Sequence, residues 1–213
     1  MFTPESGKHP NNYGNCFYAS QTFNNIPKKD GRRIQMARGR VNTPGMSFNQ
    51  CMLFPVKLTL KTTDEGIRMF SEPVKEIALL HKKGWKRVNM VIEPGDNPIS
   101  GINGELYHII GTFKVENNAQ FGFKIHGTEI LFNAVKGELT CMDKKAELMP
   151  ERGKVSFEII ADRNTIEIFG NHGQVYMPIA RDLTRNYGSE FICRNGKVTA
   201  ENLQIFELKS IWK

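Results

Sequence analysis

No run of apolar residues in this 213-residue chain approaches the roughly 18 that a membrane helix needs, so no helical span and no membrane partner is expected. The opening stretch, Met1 to Asn12, is polar and has no apolar centre of the kind an export signal carries; the expectation is a soluble chain, cytoplasmic as written. Cysteine is scarce. Cys16, Cys51, Cys141 and Cys193 lie far apart with no Cys-x-x-Cys pair to grip zinc, and read as buried free thiols. His9, His81, His108, His126 and His172 are equally scattered, so neither a metal nor a cofactor is expected. What is present is an ordinary globular composition, 39% apolar with 19 glycines, which excludes disorder and collagen and leaves one large domain or two small ones.

Twenty-nine Lys and Arg against 22 Asp and Glu give a net charge of +7, which favours acidic partners through long-range attraction. A nucleic-acid binder concentrates such charge; here it is spread, and no nucleic-acid partner is expected. The one basic cluster, His81-Lys82-Lys83-Gly84-Trp85-Lys86-Arg87, reads as a solvated loop.

Turn signals recur at short intervals, among them Asp30-Gly31, Asn103-Gly104, His126-Gly127, Lys136-Gly137, Asn171-His172-Gly173 and Asn195-Gly196. The runs between them are rich in β-branched and aromatic residues. Strands are expected over Phe17 to Phe23, Arg32 to Arg38, Leu58 to Thr62, Leu106 to Val115, Gln120 to Ile125, Glu129 to Asn133, Val155 to Ala161, Thr165 to Phe169, Val175 to Ile179 and Leu203 to Leu208. The only helical candidate is Pro73 to His81, capped by Ser71, with Val74, Ile77, Ala78 and His81 on one face.

In Val155-Ser156-Phe157-Glu158-Ile159 the apolar and polar residues alternate, as in a sheet with one wet face. The dry face must be covered, and a second sheet is the usual cover, giving an all-β, two-sheet antiparallel sandwich. Residues 1–54 differ in texture. They hold two strand candidates and then a Gly, Pro and Asn-rich stretch, and two strands are only marginally stable alone, so this segment must lean on something. The division expected is 1–54 and 55–213.

Phe17-Tyr18-Ala19-Ser20-Gln21-Thr22-Phe23, followed by Asp30-Gly31-Arg32-Arg33-Ile34-Gln35, resembles the last blade of the five-bladed propeller of glycoside hydrolase family 32, the levanase, invertase and fructanase family. Ala161-Asp162-Arg163-Asn164-Thr165-Ile166-Glu167-Ile168-Phe169-Gly170-Asn171 with Val175-Tyr176-Met177 is similar to a signature hairpin of that family's C-terminal sandwich, and Leu58-Thr59-Leu60, Pro73-Val74-Lys75-Glu76-Ile77 and Glu207 to Trp212 continue it in order. The resemblance implies a jelly-roll or concanavalin-like sandwich preceded by a remnant of one propeller blade. It also implies β-fructosides such as levan, inulin or sucrose as substrates.

Such hydrolysis needs a carboxylate nucleophile and a second carboxyl about 5 to 5.5 Å away. The family's nucleophile motif, its Glu-Cys acid/base and its Arg-Asp-Pro stabiliser do not occur in this sequence: Arg181-Asp182 is followed by Leu183, and no Glu precedes a Cys. No catalytic residue is therefore assigned. Asp162 and Glu167 are the nearest substitutes, but Asp162 is expected to shape a turn and Glu167 to face solvent or pair with Arg163; Asp64-Glu65 is expected at another turn. By the resemblance, Asn12, Tyr18, Ser20 and Arg38 would contact substrate in a completed propeller, although Asn12 replaces an acidic residue and Ala37-Arg38 replaces a Gly-Trp whose ring could stack on sugar. An isolated blade would leave Phe17, Phe23, Ile34, Met36 and Phe48 partly wet, which gives it reason to fold on the sandwich, to form a homodimer or to await a partner chain. The rival expectation is a fructan-binding module stacking sugars on Trp85, Tyr107, Tyr187 or Trp212.

Overall fold

The structure is a computed structural model, and it describes residues 9–182 and 188–211. In chain order its strands are β1 (Phe17–Thr22), β2 (Arg33–Gly39), β3 (Cys51–Met52), β4 (Val56–Thr63), β5 (Gly66–Pro73), β6 (His81–Ile92), β7 (Tyr107–Val115) and β8 (Gln120–Ile125), then β9 (Thr128–Asn133), β10 (Glu138–Cys141), β11 (Lys144–Glu147), β12 (Lys154–Ala161), β13 (Thr165–Gly170), β14 (Val175–Ala180), β15 (Ser189–Asn195) and β16 (Val198–Leu208). They form three antiparallel sheets. A six-stranded sheet runs β14-β13-β12-β7-β16-β6, a five-stranded one β11-β10-β9-β8-β15, and an N-terminal meander β1-β2-β4-β5, with β3 also paired to β2. Among the described residues no helix is long and apolar enough to cross a membrane.

The six- and five-stranded sheets face each other across the main core. Val155, Phe157 and Ile159 point inward from β12, as their alternation requires, and meet Phe121, Phe123, Phe132 and Phe191 from the opposite sheet. Phe113 sits at the centre, its ring 5.1 Å from Phe121 and 5.7 Å from Phe191. The all-β sandwich expected from the sequence is the architecture found.

A second, thinner seam lies on the outer face of the six-stranded sheet. Ile34 and Val56 of the N-terminal sheet, with Val74 and Ile77, pack there against Ile160, Phe169, Tyr176 and Leu208. The segment ahead of β1 also covers the free edge of β14. The Tyr13 and Asn15 amides donate to the carbonyls of Tyr176 and Pro178 at 2.8 and 3.1 Å, and Asn15 Oδ1 accepts from the Ala180 amide at 2.8 Å. The approach is so close that a β-carbon at Gly14 would collide with the Pro178 carbonyl. Gly173, at φ 84°, gives the same closeness to Ser71 of β5. The N-terminal sheet continues across residues 54 and 55, because β2 pairs with β4 from Arg33↔Leu58 to Gln35↔Val56.

Several local expectations are corrected. The segment Pro73 to His81 contains a 3-10 helix, Lys75–Leu80, with no side-chain cap; Ser71 belongs to β5 and donates its amide to Gly173. Three residues per turn place Val74, Ile77 and Leu80 on the buried face and leave Ala78 exposed. The basic cluster His81 to Arg87 is the start of β6, not a loop. As an edge strand it can carry Lys82, Lys83 and Lys86 outward, and such lysines discourage stray strand pairing. Ile34 is buried beneath the N-terminal sheet, whereas Phe23 and Phe48 are half-exposed.

Candidate functional site

The residues matched to substrate contacts lie at the start of the N-terminal sheet. Tyr18 of β1 stands opposite Arg38 of β2, and Arg38 opposite Met52 of β3, so the three form one row across the strands. All three are exposed, and the Arg40 guanidinium sits 5.1 Å from the centre of the Tyr18 ring. A bulge after Tyr18, with Ala19 at φ 47°, shifts the register so that Ser20 accepts a hydrogen bond from Gln35 Nε2 at 3.1 Å. Asn12 stands ahead of the strand, where its Oδ1 accepts from the Gly14 amide at 3.3 Å. The structure thus brings Tyr18 and Arg38 together, and leaves Asn12 closing a local turn.

Beside this sheet, Asn42, Met46, Phe48, Asn49 and Asp182 line an open cavity of about 640 Å³. Thr43 fixes the loop by donating its hydroxyl to the Phe48 carbonyl at 2.7 Å. Half-exposed Phe48 supplies a ring and the neighbouring amides and carboxylate supply polar groups, the mixture a sugar-sized ligand needs.

The two carboxylates of the signature hairpin behave differently. Asp162 shapes the β12–β13 turn: its Oδ1 accepts the Arg163 amide at 2.7 Å and its own amide donates to the Thr165 carbonyl at 2.9 Å. Glu167 neither faces solvent nor pairs with Arg163, which instead pairs with Glu105 at 2.6 Å. It is 0% exposed on β13, accepting the Phe54 amide at 2.8 Å on Oε1 and the Tyr176 hydroxyl at 2.6 Å on Oε2. Burial pushes its carboxyl up to about 7, against the two hydrogen bonds that pull the other way. Alternation alone could not reveal this. A Glu flanked by Ile166 and Ile168 occupies the outward phase of the strand, and only the third layer makes that phase dry.

Asp64 and Glu65 lie exposed at the β4–β5 turn, where Thr63 Oγ1 accepts the Glu65 amide. Of the aromatics proposed as stacking surfaces, Tyr107 is fully buried in the main core and presents no ring to solvent. Trp85 packs against that core with Lys83 Nζ 4.9 Å from its ring centre; Tyr187 and Trp212 lie outside the described residues. All four cysteines are free, and burial pushes the Cys16 and Cys51 thiols up to about 12 and about 11, which keeps both protonated and poorly nucleophilic. Among the described residues, no three His, Cys, Asp or Glu side chains gather as a metal site.

Two histidine clusters, one partly exposed and one buried, were not visible in the sequence. His108 links His81 at 2.9 Å to Glu158 at 2.8 Å, and His81 stacks on Phe206. Arg181 Nη2 donates to His126 Nδ1 at 2.7 Å, so His126 must be neutral and donates from Nε2 to the Gly104 carbonyl at 3.2 Å. The hydrogen-bonded side-chain pairs His81–His108, His108–Glu158 and Arg181–His126 are 27, 50 and 55 residues apart in sequence, and no local motif joins them.

Levanase from Bacillus subtilis is 30% identical over 230 aligned residues, which cover 94% of this chain and 34% of that protein. Sucrose-6-phosphate hydrolase from Zymomonas mobilis is 28% identical over 197 residues, covering 79% and 36%. The chain therefore spans about a third of the length of these relatives. Exo-inulinase from Aspergillus awamori superposes with a TM-score of 0.83 over all of this chain and 48% of its own length, at 16% identity, so it shares the fold. Residues 76–207 match the profile described as "Glycosyl hydrolases family 32 C terminal", and the chain belongs to glycosyl hydrolase family 32, whose C-terminal domain it contains.

Proposed function

We propose that this chain is the C-terminal part of a hydrolase of β-fructosides such as levan, inulin or sucrose, and that by itself it cleaves none of them. In this reading β1-β2-β4-β5 is the last blade of a propeller and the sandwich buttresses it; the row of Tyr18, Arg38 and Met52 faces the remaining blades. The observation that carries the reading is the state of Glu167. Both of its oxygens are occupied and sealed from solvent, so it cannot attack a sugar, and its companion Asp162 is committed to a turn. A retaining hydrolase needs two accessible carboxyl groups flanking the bond. They come from blades elsewhere, in the same polypeptide or in a partner chain. The names of the relatives, a levanase and a sucrose-6-phosphate hydrolase, support the substrate class.

The test is an assay of purified chain for fructose release from levan, inulin and sucrose. No release is expected; release that disappears in Asp162→Ala would overturn the proposal. The fructan-binding reading keeps one supporting observation, the cavity beside Phe48 and Asp182. Calorimetric titration with fructan oligosaccharides separates the two: heats that saturate and vanish in Phe48→Ala favour binding, and flat heats remove it.

A further inference from the structure

Glu167 lies where the two halves of the molecule meet. One of its partners, the Phe54 amide, is 113 residues earlier in the chain and belongs to the N-terminal sheet's side of the seam; the other, Tyr176, is on β14. The ionisable groups acting on it or on its partner are Tyr176 on β14, Cys16 ahead of β1, Cys51 on β3 and Asp162 at the β12–β13 turn. None of these is a cation. Arg40 acts on Cys16, but its guanidinium lies over the exposed Tyr18 ring. The strand neighbours of Glu167 are Ile160 on β12 and Pro178 on β14, and the Tyr176 ring is stacked on Phe169 and edge-on to Phe17. Among the described residues, an ionised carboxylate here is held by two hydrogen bonds and no opposite charge, a costly arrangement in an apolar seam.

The neutral acid fits the same site. Oε1 still accepts the Phe54 amide, while a proton on Oε2 is donated to the Tyr176 oxygen, reversing that bond without moving a heavy atom. We propose that Glu167 is a proton-controlled fastener of the joint between the N-terminal sheet and the sandwich, closed when the carboxyl is neutral and loosened as it ionises.

The sign follows from proton counting. When the joint opens, Glu167 reaches water and returns to its ordinary carboxylate range, so the closed form holds its proton to a higher pH than the open form. Opening therefore becomes easier as pH rises from the ordinary range toward 7, and levels off above that. Because the structure carrying Tyr18 and Arg38 is the one released, the fastener would set how firmly that surface is presented.

The experiment is amide hydrogen exchange at Tyr13, Asn15 and Phe54, whose N–H groups bond across the seam, between pH 5 and 8, corrected for the intrinsic base-catalysed rate. Opening at these amides is expected to rise roughly tenfold or more from pH 5 to 7 and then level off, and the Phe54 amide shift should show an inflection near neutrality. In Glu167→Gln, a stand-in for the neutral acid, both the rise and the inflection should vanish. Tyr176→Phe removes a donor to the ionised form, so its inflection should move to higher pH, and it serves if the glutamine variant does not fold. A Phe54 amide without inflection from pH 5 to 8.5, a rise that persists unchanged in Glu167→Gln, or an unmoved inflection in Tyr176→Phe would overturn the proposal.

Discussion

The space between the two large sheets and the seam beneath the N-terminal sheet are both apolar layers, but they are built to different standards. Between the sheets, six phenylalanines, Phe113, Phe121, Phe123, Phe132, Phe157 and Phe191, interlock with aliphatic residues from both sides, and every strand of the six-stranded sheet contributes a residue to that cluster. Under the N-terminal sheet, eight buried apolar residues share the layer with a carboxylate, and edge contacts at Tyr13, Asn15 and Ser71 supply much of the connection. The difference teaches where the molecule gives way first. Local opening starts where apolar contacts are few and the links are isolated backbone hydrogen bonds. The sandwich is expected to persist when the N-terminal sheet is released.

The strongest blow to this contrast is Phe113→Ala. Removing the central ring should cost about 3–5 kcal/mol and, at roughly 2–4 °C per kcal/mol, lower the thermal midpoint of the whole molecule by about 10 °C. Ile34→Ala on the seam should cost about 2 kcal/mol and act locally, exposing residues 9–55 to protease while exchange in β7 and β12 stays slow. If both variants lowered protection uniformly, the two layers would be one cooperative unit.

The next perturbation is acid. Burial and the Arg181 charge hold His126 below the usual histidine range, so its neutral form contributes stability above the ordinary value near 6.5 that is lost as pH falls toward the depressed folded value. Protonation at Nδ1 would face the Arg181 guanidinium directly. Glu167→Gln protein, freed of the opposing carboxyl effect, should melt several degrees lower at pH 5 than at pH 7.5, with the loss in the sandwich rather than the seam. An unchanged midpoint would show that His126 escapes protonation. The smallest effect is expected for Tyr18→Ala, whose half-exposed ring contributes little packing; a change within about 0.5 kcal/mol is expected in thermal melts. A larger loss would show that the exposed row supports the sheet.

The strands that alternate cleanly, such as β12, or lie between strong turn signals, such as β8, are read correctly because period-2 burial and turn chemistry are both local. Other strands are not legible in the sequence: β3 is two residues long and β10 and β11 four each, β6 carries the charges of an edge, and β5 and β15 are likewise not expected. Residue type alone places Tyr107 at the surface, yet its ring fills the core with its hydroxyl 3.4 Å from the Ile102 carbonyl. At the site, the turn role of Asp162 is legible because an Asp followed by Arg-Asn between two strands makes its bonds within three residues. The partners of Glu167 are not, since one of them is a backbone amide 113 positions away.

By itself the sequence determined the all-β class, the inward phase of the sandwich strands and the family likeness, because each rests on periodicity or on residues adjacent in the chain. The tertiary structure alone decided which outward phases stay dry. A third layer laid across the six-stranded sheet turns the solvent side of β13 into an interior, and whether a carboxylate there is a surface charge or a buried acid depends on the groups that fold over it.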